Sequence, residues 1–168
     1  MQTRAGEMQG VVVCTPDVVE DHRGEYVETY NERDYRAAGI DVHFVQDDIS
    51  VSSHGVLRGL HGDDETWKLV SCLHGRLYFV VVDCREGTPT FGQWESFILS
   101  ARNRQQVLVP PNFGNGHLVL SEQGIFHYKQ SSYYPTHQFS YRFDDPRFGV
   151  WWPMDKPMLS QRDEGGGR

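Results

Sequence analysis

Arg58-Gly59-Leu60-His61, with Trp67-Lys68-Leu69-Val70 close behind, puts a guanidinium, an imidazole and an ammonium into one stretch of chain. An imidazole titrates near neutrality and can take a proton from carbon. A cation beside it can stabilise the oxyanion that forms when that carbon adjoins a carbonyl. Gly62-Asp63-Asp64-Glu65-Thr66 reads as a short polar loop, so the segments on either side are expected to pair as neighbouring strands. Taken alone, the same residues also fit an interior histidine with two ordinary surface cations. Other chemistries have no support. There is no Gly-x-Ser-x-Gly, no Walker-type loop and no dinucleotide fingerprint, so any reaction here is expected to be acid–base chemistry with no cofactor.

The eight histidines raise the question of a metal. His61 has no His-x-His partner, and His54 and His74 lie beyond turns. His117 is the one later histidine in a plausible position, and no bound metal is expected. His22, His43, His54 and His137 sit in polar or turn-like surroundings and are expected to be solvated. His127 and Tyr128 must face opposite sides of a strand by period-two alternation. Without further context Tyr128 fits a core aromatic with a hydrogen-bonded hydroxyl, and Tyr133-Tyr134 a packed pair.

These residues are expected on strands. Val11 to Cys14, Glu25 to Tyr30, Phe44 to Val51, Lys68 to Leu73 and Arg76 to Cys84 have strand character. So do Trp94 to Leu99, Gln105 to Pro110, Gly116 to Leu120 and Ile125 to Gln130. Lys68 to Leu73 and Arg76 to Cys84 are expected to form a hairpin through His74-Gly75. Leu77 to Val82 is apolar on both faces and should be central and covered on each side. Asn31 is a candidate N-cap for one short N-terminal helix, Glu32 to Ala38, closed by Gly39. The pattern predicts an all-β sandwich or barrel in one domain spanning 1–168, with flexible ends at 1–10 and 164–168.

The 168 residues can bury a sizeable core, and 38% hydrophobic with 23% charged residues is a globular composition. A net charge of −7 argues against a nucleic-acid surface, although a local pair such as Arg58 and Lys68 can still hold a phosphate. Cys14, Cys72 and Cys84 are widely spaced with no Cys-x-x-Cys, which predicts neither disulfides nor a zinc knuckle and favours a reducing cytoplasm. No apolar run reaches the ~18 residues of a membrane span, and no partner membrane is expected.

Taken together, the segments resemble the nucleotide-sugar 3,5-epimerases of the dTDP-4-dehydrorhamnose type, which have a cupin jelly-roll fold. The resemblance runs from Val11 to Asp163. It rests on Asp21-His22-Arg23-Gly24, Phe44-Val45-Gln46-Asp47, Val56-Leu57-Arg58-Gly59-Leu60-His61 and Lys68-Leu69-Val70. It continues through Pro89 to Trp94, Leu99 to Asn103, Tyr128-Lys129, Asp144-Asp145-Pro146, Trp152-Pro153 and Leu159 to Asp163. The resemblance implies His61 as the base that removes the proton at carbon 3, supported by Asp163. It implies Lys68 as the enolate's counter-charge and Tyr128 as the acid on the opposite face. It implies Arg23 and Arg58 as diphosphate or sugar contacts, with Glu28, Gln46 and Tyr134 as further substrate contacts. It also implies a homodimer with exchanged N-terminal strands, in which Arg23 could reach a neighbouring site.

Two departures stand out. Where the family usually has a second histidine this chain has Asn115, which can donate a hydrogen bond but carries no charge. His117, two residues on, would face the same side and could partly substitute. The loop between His61 and Lys68 is also shorter than in the rhamnose enzymes. Both features resemble the branch acting on GDP-4-keto-heptoses in capsule or lipopolysaccharide synthesis, so a GDP-linked substrate is favoured over dTDP. A keto-sugar isomerase of the same fold and a non-catalytic nucleotide-sugar-binding cupin are the competing readings.

Overall fold

Along Leu77 to Val82, alternate side chains enter two separate apolar clusters: Leu77, Phe79 and Val81 one, Tyr78, Val80 and Val82 the other. This is why the run is apolar at every position, since each face of the strand meets a core. The computed structural model describes residues 1–133 and 136–165.

Two sheets face each other across the first cluster. The six-stranded sheet runs in the order β1 (Gln2–Ala5), β2 (Val12–Thr15), β10 (Gln106–Val109), β7 (Lys68–His74), β12 (Gln123–Gln130), β5 (Gln46–Ser53). The five-stranded sheet runs β13 (Gln138–Ser140), β6 (Leu57–Asp63), β11 (Phe113–Val119), β8 (Arg76–Asp83), β9 (Trp94–Ser100). A hairpin of β3 (Val18–Asp21) and β4 (Gly24–Val27) stands apart from both. The architecture is the expected all-β cupin jelly roll. Outside the five-stranded sheet, Phe148 and Trp152 cover Tyr78, Val80 and Val82. Outside the six-stranded sheet, Tyr35 and Ile40 cover Cys14, Leu69 and Leu108. Full burial of a side chain such as Phe79 stabilises the fold by roughly 1.5–3 kcal/mol.

Several expectations need correction. β6 and β7 are not neighbours: β6 pairs with β11 and β13, β7 with β10 and β12, so Arg58 and Lys68 approach from opposite sheets. The expected β7–β8 hairpin is likewise absent, because the chain crosses between sheets at Gly75. Gly75 has φ +76, and a Cβ there would lie 2.1 Å from the Gln123 carbonyl oxygen, so only glycine fits the crossing. Gln2–Ala5, placed in a flexible end, pairs antiparallel with β2. The N-terminal helix α1 (Glu32–Ala37) lies where expected, but the Asn31 side chain makes no cap and donates to Glu28 instead. A second helix, α2 (Gln161–Gly165), was not expected; it carries Asp163 and includes Glu164 and Gly165 of the other end assigned as flexible. Tyr133 is exposed, not a packed aromatic, and Tyr134 lies outside the described residues.

The three cysteines are free and buried, and burial raises the thiols to about 11, 11 and 12 for Cys14, Cys72 and Cys84. At those values they stay protonated and are poor nucleophiles. Among the described residues no helix is long and apolar enough to cross a membrane.

Candidate active site

A bulge decides which β6 side chains reach the interior. Between Asn115 and His117 the β11 strand advances two residues, while its partner β6 advances three, from His61 to Arg58. Residues three apart on a regular strand point to opposite faces; the extra residue restores Arg58 and His61 to one side. Gly59 permits this: its φ is +133, and a Cβ would meet the Gly116 Cα at 2.5 Å. Arg58 and His61 both line a cavity of about 460 Å³ between the two sheets.

The opposite wall is a grid set by strand register. Lys68, Gln130 and Gln46 lie abreast on β7, β12 and β5; Val70, Tyr128 and Asp48 form the next row, and Cys72, Phe126 and Ser50 the row beyond. Gln46, Asp48, Ser50, Lys68, Phe126, Tyr128 and Gln130 all face the cavity. Asp48 Oδ2 accepts from the Gln46 amide at 2.6 Å and from the Gln130 amide at 2.8 Å, which fixes three polar side chains as one unit.

His61 is held by a buried carboxylate. Its Nε2 lies 2.6 Å from Oδ1 of Asp163, whose side chain is 3% exposed. The second oxygen, Oδ2, accepts the Ser160 hydroxyl at 2.8 Å, and the Asp163 amide donates back to Ser160 Oγ at 3.2 Å. A carboxylate only accepts, so Nε2 carries the hydrogen and Nδ1 is the nitrogen free to take a proton. Burial pulls the His61 imidazole below the usual histidine range; Asp163 opposes this, and Arg162 and Lys68 add to the downward push. The ring is therefore neutral at neutral pH, the state a base requires.

Lys68 Nζ is 3.3 Å from Asp63 Oδ2, and Asp63 Oδ1 accepts the Thr66 and Glu65 amides at 2.6 and 3.2 Å. A buried aspartate thus organises the short loop and aims the ammonium. Burial and the charge of Asp48 raise the Tyr128 phenol above its ordinary value, with Arg58 opposing. Tyr128 therefore keeps its proton across the working range, as an acid must. Asn115 also lines the cavity, its amide donating to the His61 carbonyl oxygen at 2.9 Å. His117 stacks on Phe126 with ring centroids 4.0 Å apart.

The structure thus brings His61, Lys68, Tyr128, Asp163, Gln46, Arg58, Asn115 and His117 to one cavity. Arg23 and Glu28 are not there. Arg23 is exposed near the β3–β4 turn and paired with Asp21, and Glu28 lies just beyond the same hairpin. Polar residues not foreseen are Asp48, Ser50, Asp63, Gln130, Gln138, Ser160 and Arg162, and Gly62 and Phe126 join them in the lining. Period-two alternation from Gln46 would have found Asp48 and Ser50, and alternation from Tyr128 would have found Gln130. Asp63 gave no such signal, because a polar loop residue is expected to be solvated. Among the described residues no group of three or more His, Cys, Asp or Glu is placed to hold a metal ion.

A jelly roll enclosing a carboxylate-held neutral histidine, an ammonium and a protonated tyrosine holds the groups that acid–base chemistry requires. The sequence profile of dTDP-4-dehydrorhamnose 3,5-epimerase matches residues 5–167. The dTDP-4-dehydrorhamnose 3,5-epimerase of Pseudomonas aeruginosa is 42% identical over 161 residues, covering 93% of this chain and 89% of the relative. Crystal structures superpose closely. An epimerase from Legionella pneumophila in complex with dTDP-4-keto-L-rhamnose gives a TM-score of 0.91 at 37% identity, over 98% of this chain and 91% of that one. A 3'-monoepimerase from Streptomyces bikiniensis in complex with dTDP-quinovose gives 0.90 at 33% identity, over 97% and 85%. The chain belongs to the dTDP-4-dehydrorhamnose 3,5-epimerase family, a family of isomerases. The expected preference for GDP and for the heptose branch finds no support in these relatives, whose nucleotides are dTDP.

Proposed function

We propose that this protein epimerises a dTDP-linked 4-keto sugar at carbon 3 through an enolate. Nδ1 of His61 removes the proton next to the ketone, and the developing imidazolium is stabilised by Asp163. The Lys68 ammonium neutralises the enolate oxygen, and Tyr128 returns a proton to the other face, which inverts the centre. Arg58 and Arg162 supply cations in the same cavity for the diphosphate. The observation that carries this reading is the 2.6 Å His61–Asp163 contact on one wall, with Tyr128 and Lys68 on the other. Two titratable groups held in opposite protonation states across a cavity are what an acid–base pair needs.

The test is NMR in deuterium oxide with dTDP-4-keto-6-deoxyglucose and with its 6-hydroxylated counterpart. Label should enter carbon 3 of at least one substrate, and label at carbon 5 would extend the reaction to that centre. Binding without label in either would favour a non-catalytic nucleotide-sugar-binding cupin, and a ketone relocated to another carbon would favour an isomerase.

The assembly we propose is a homodimer with exchanged N-terminal strands. Val18, Val19 and Tyr26 are exposed on the β3–β4 hairpin, as are Ile49, Val51 and Leu73 on the outer face of the six-stranded sheet, an apolar surface suited to a second copy. In such a dimer Arg23 and Glu28, remote from their own cavity, could serve the partner's. Light scattering of wild type and of Val19→Asp with Tyr26→Asp tests it: wild type should run as a dimer and the variant as a monomer, and a monomeric wild type would overturn it.

A further inference from the structure

Of the four buried side-chain polar atoms without a hydrogen-bond partner among the described residues, two belong to the wall of this cavity: Nε2 of His117 and Oγ of Ser50. The other two, on Arg104 and Ser140, lie on residues outside that wall. His117 and Ser50 come from opposite sheets, and Phe126 is the neighbour of each. Ser50 is the register partner of Phe126, and His117 stacks on the Phe126 ring with an interplanar angle of 11°. Phe126 is next along the β12 face from Tyr128, their ring centroids 5.4 Å apart, so the pair sits directly behind the proposed acid.

Buried polar groups in native proteins are almost always paired, and two orphans lining one cavity point to an atom that the ligand brings. The chemistry of the pair narrows what that atom is. His117 is only 4% exposed, and burial, with Arg58 and His61 nearby, lowers its imidazole to about 3. The ring therefore stays neutral and offers one N–H and one lone pair, and the serine hydroxyl likewise donates and accepts. A methyl group would leave both atoms orphaned, whereas an alcohol, which donates and accepts, matches both.

We infer that Ser50 and His117 form a hydroxyl-binding subsite behind the reacting carbon, and that the preferred sugar carries a hydroxyl there. This inference rests on the reading of the cavity as a dTDP-sugar site and specifies which sugars it takes.

The test is calorimetric binding of dTDP-glucose, dTDP-quinovose, which lacks the 6-hydroxyl, and dTDP-2-deoxyglucose to wild type, His117→Phe and Ser50→Ala. Wild type should favour dTDP-glucose over one of the two deoxy sugars about tenfold, the value of one well-made hydrogen bond. His117→Phe keeps a ring on Phe126 and should bring that ratio to about one, and Ser50→Ala should reduce it in part. Wild-type affinities within twofold of one another, or a ratio unchanged in both variants, would overturn the subsite. Because binding needs no catalysis, the epimerase reading fails separately: the expected ratios with no deuterium exchange on either 4-keto sugar would sink that reading and support the subsite. Failure to bind any of the three would overturn both.

Discussion

Of the histidines that sit against aspartates among the described residues, His137 is exposed and two, His61 and His127, are largely buried; only one of those two pairs is built for proton transfer. His61 Nε2 meets Asp163 at 2.6 Å, the carboxylate is 3% exposed, and its other oxygen is held by Ser160. His127 has Ser71 Oγ 2.9 Å from Nδ1 and Asp47 3.6 Å from Nε2, the residue types of a serine hydrolase triad but with the two ring nitrogens exchanged. Burial lowers both imidazoles, with the aspartate opposing in each case. What differs is everything around them. Asp47 is 52% exposed and shared with Lys129, and neither His127 nor Ser71 lines the cavity. Residue types and pairwise contacts do not define a site; a cavity and an acid on its far wall do.

Substitutions at the first pair should have the largest effects. His61→Asn should lower deuterium exchange at carbon 3 by about a thousandfold, the usual value of a positioned base. Exchange at the wild-type rate would remove His61 from the role. Asp163→Asn should cost about a hundredfold, because the ring loses its fixed tautomer and the support for its positive form. Since Asp163 opposes the downward shift of His61, the variant's acid limb should also move to lower pH. In wild type the exchange rate should rise with pH, with a midpoint below the ordinary histidine value of about 6.5, and be level by pH 7. A midpoint above that value would contradict the desolvated environment of His61.

Tyr128→Phe separates the two walls. Removing the acid while leaving the base should depress inversion at least tenfold more than exchange, read by NMR of product against label. Equal losses would show that the two groups do not divide the work as proposed.

The class of fold was legible in the sequence because of its periodicity, whereas Lys68, Tyr128 and Gln46 were assigned to the site by resemblance. Strands from Lys68 onward show their alternation, and Leu77 to Val82 showed its double burial. Sheet partnership was not legible. Lys68 to Leu73 and Arg76 to Cys84 look like a hairpin because Gly75 is a turn residue, and nothing local says that the chain changes sheets there. The β6 bulge was equally hidden: by simple alternation Arg58 and His61 would face opposite ways, and only close packing of Gly59 on Gly116 puts them together. Asp163 was placed by resemblance alone, since a five-residue helix 102 positions from His61 gives no spacing signal.

A stability measurement sharpens the contrast from inside the cavity. His117 is lowered to about 3 in the folded protein, against about 6.5 unfolded, so the unfolded chain binds the extra proton between those values. Stability is therefore fully present above about pH 6.5 and declines as pH falls, by on the order of 3 kcal/mol at pH 4 from this group. His61 and His127, also lowered, add to the decline in the same direction. In urea titrations His117→Phe should flatten the slope below pH 6.5; an unchanged slope would mean that His117 does not carry it.

The smallest effect belongs to the second pair, and its smallness is the informative outcome. His127 is offset by one residue from Tyr128 and Phe126, so strand alternation alone sends it to the outer face with Ile49 and Val51. Ser71 likewise alternates with Val70 and Cys72, which pack in the core between the sheets. His127→Gln and Ser71→Ala should therefore each leave exchange and inversion within about twofold of wild type, and neither should shift the acid limb set by His61. A tenfold loss from either at unchanged oligomeric state would mean that the outer face communicates with the cavity through β12. Because Lys129 and Asp47 close the same outer cluster, a loss reproduced by Lys129→Met would place the coupling in that ion pair and not in the imidazole.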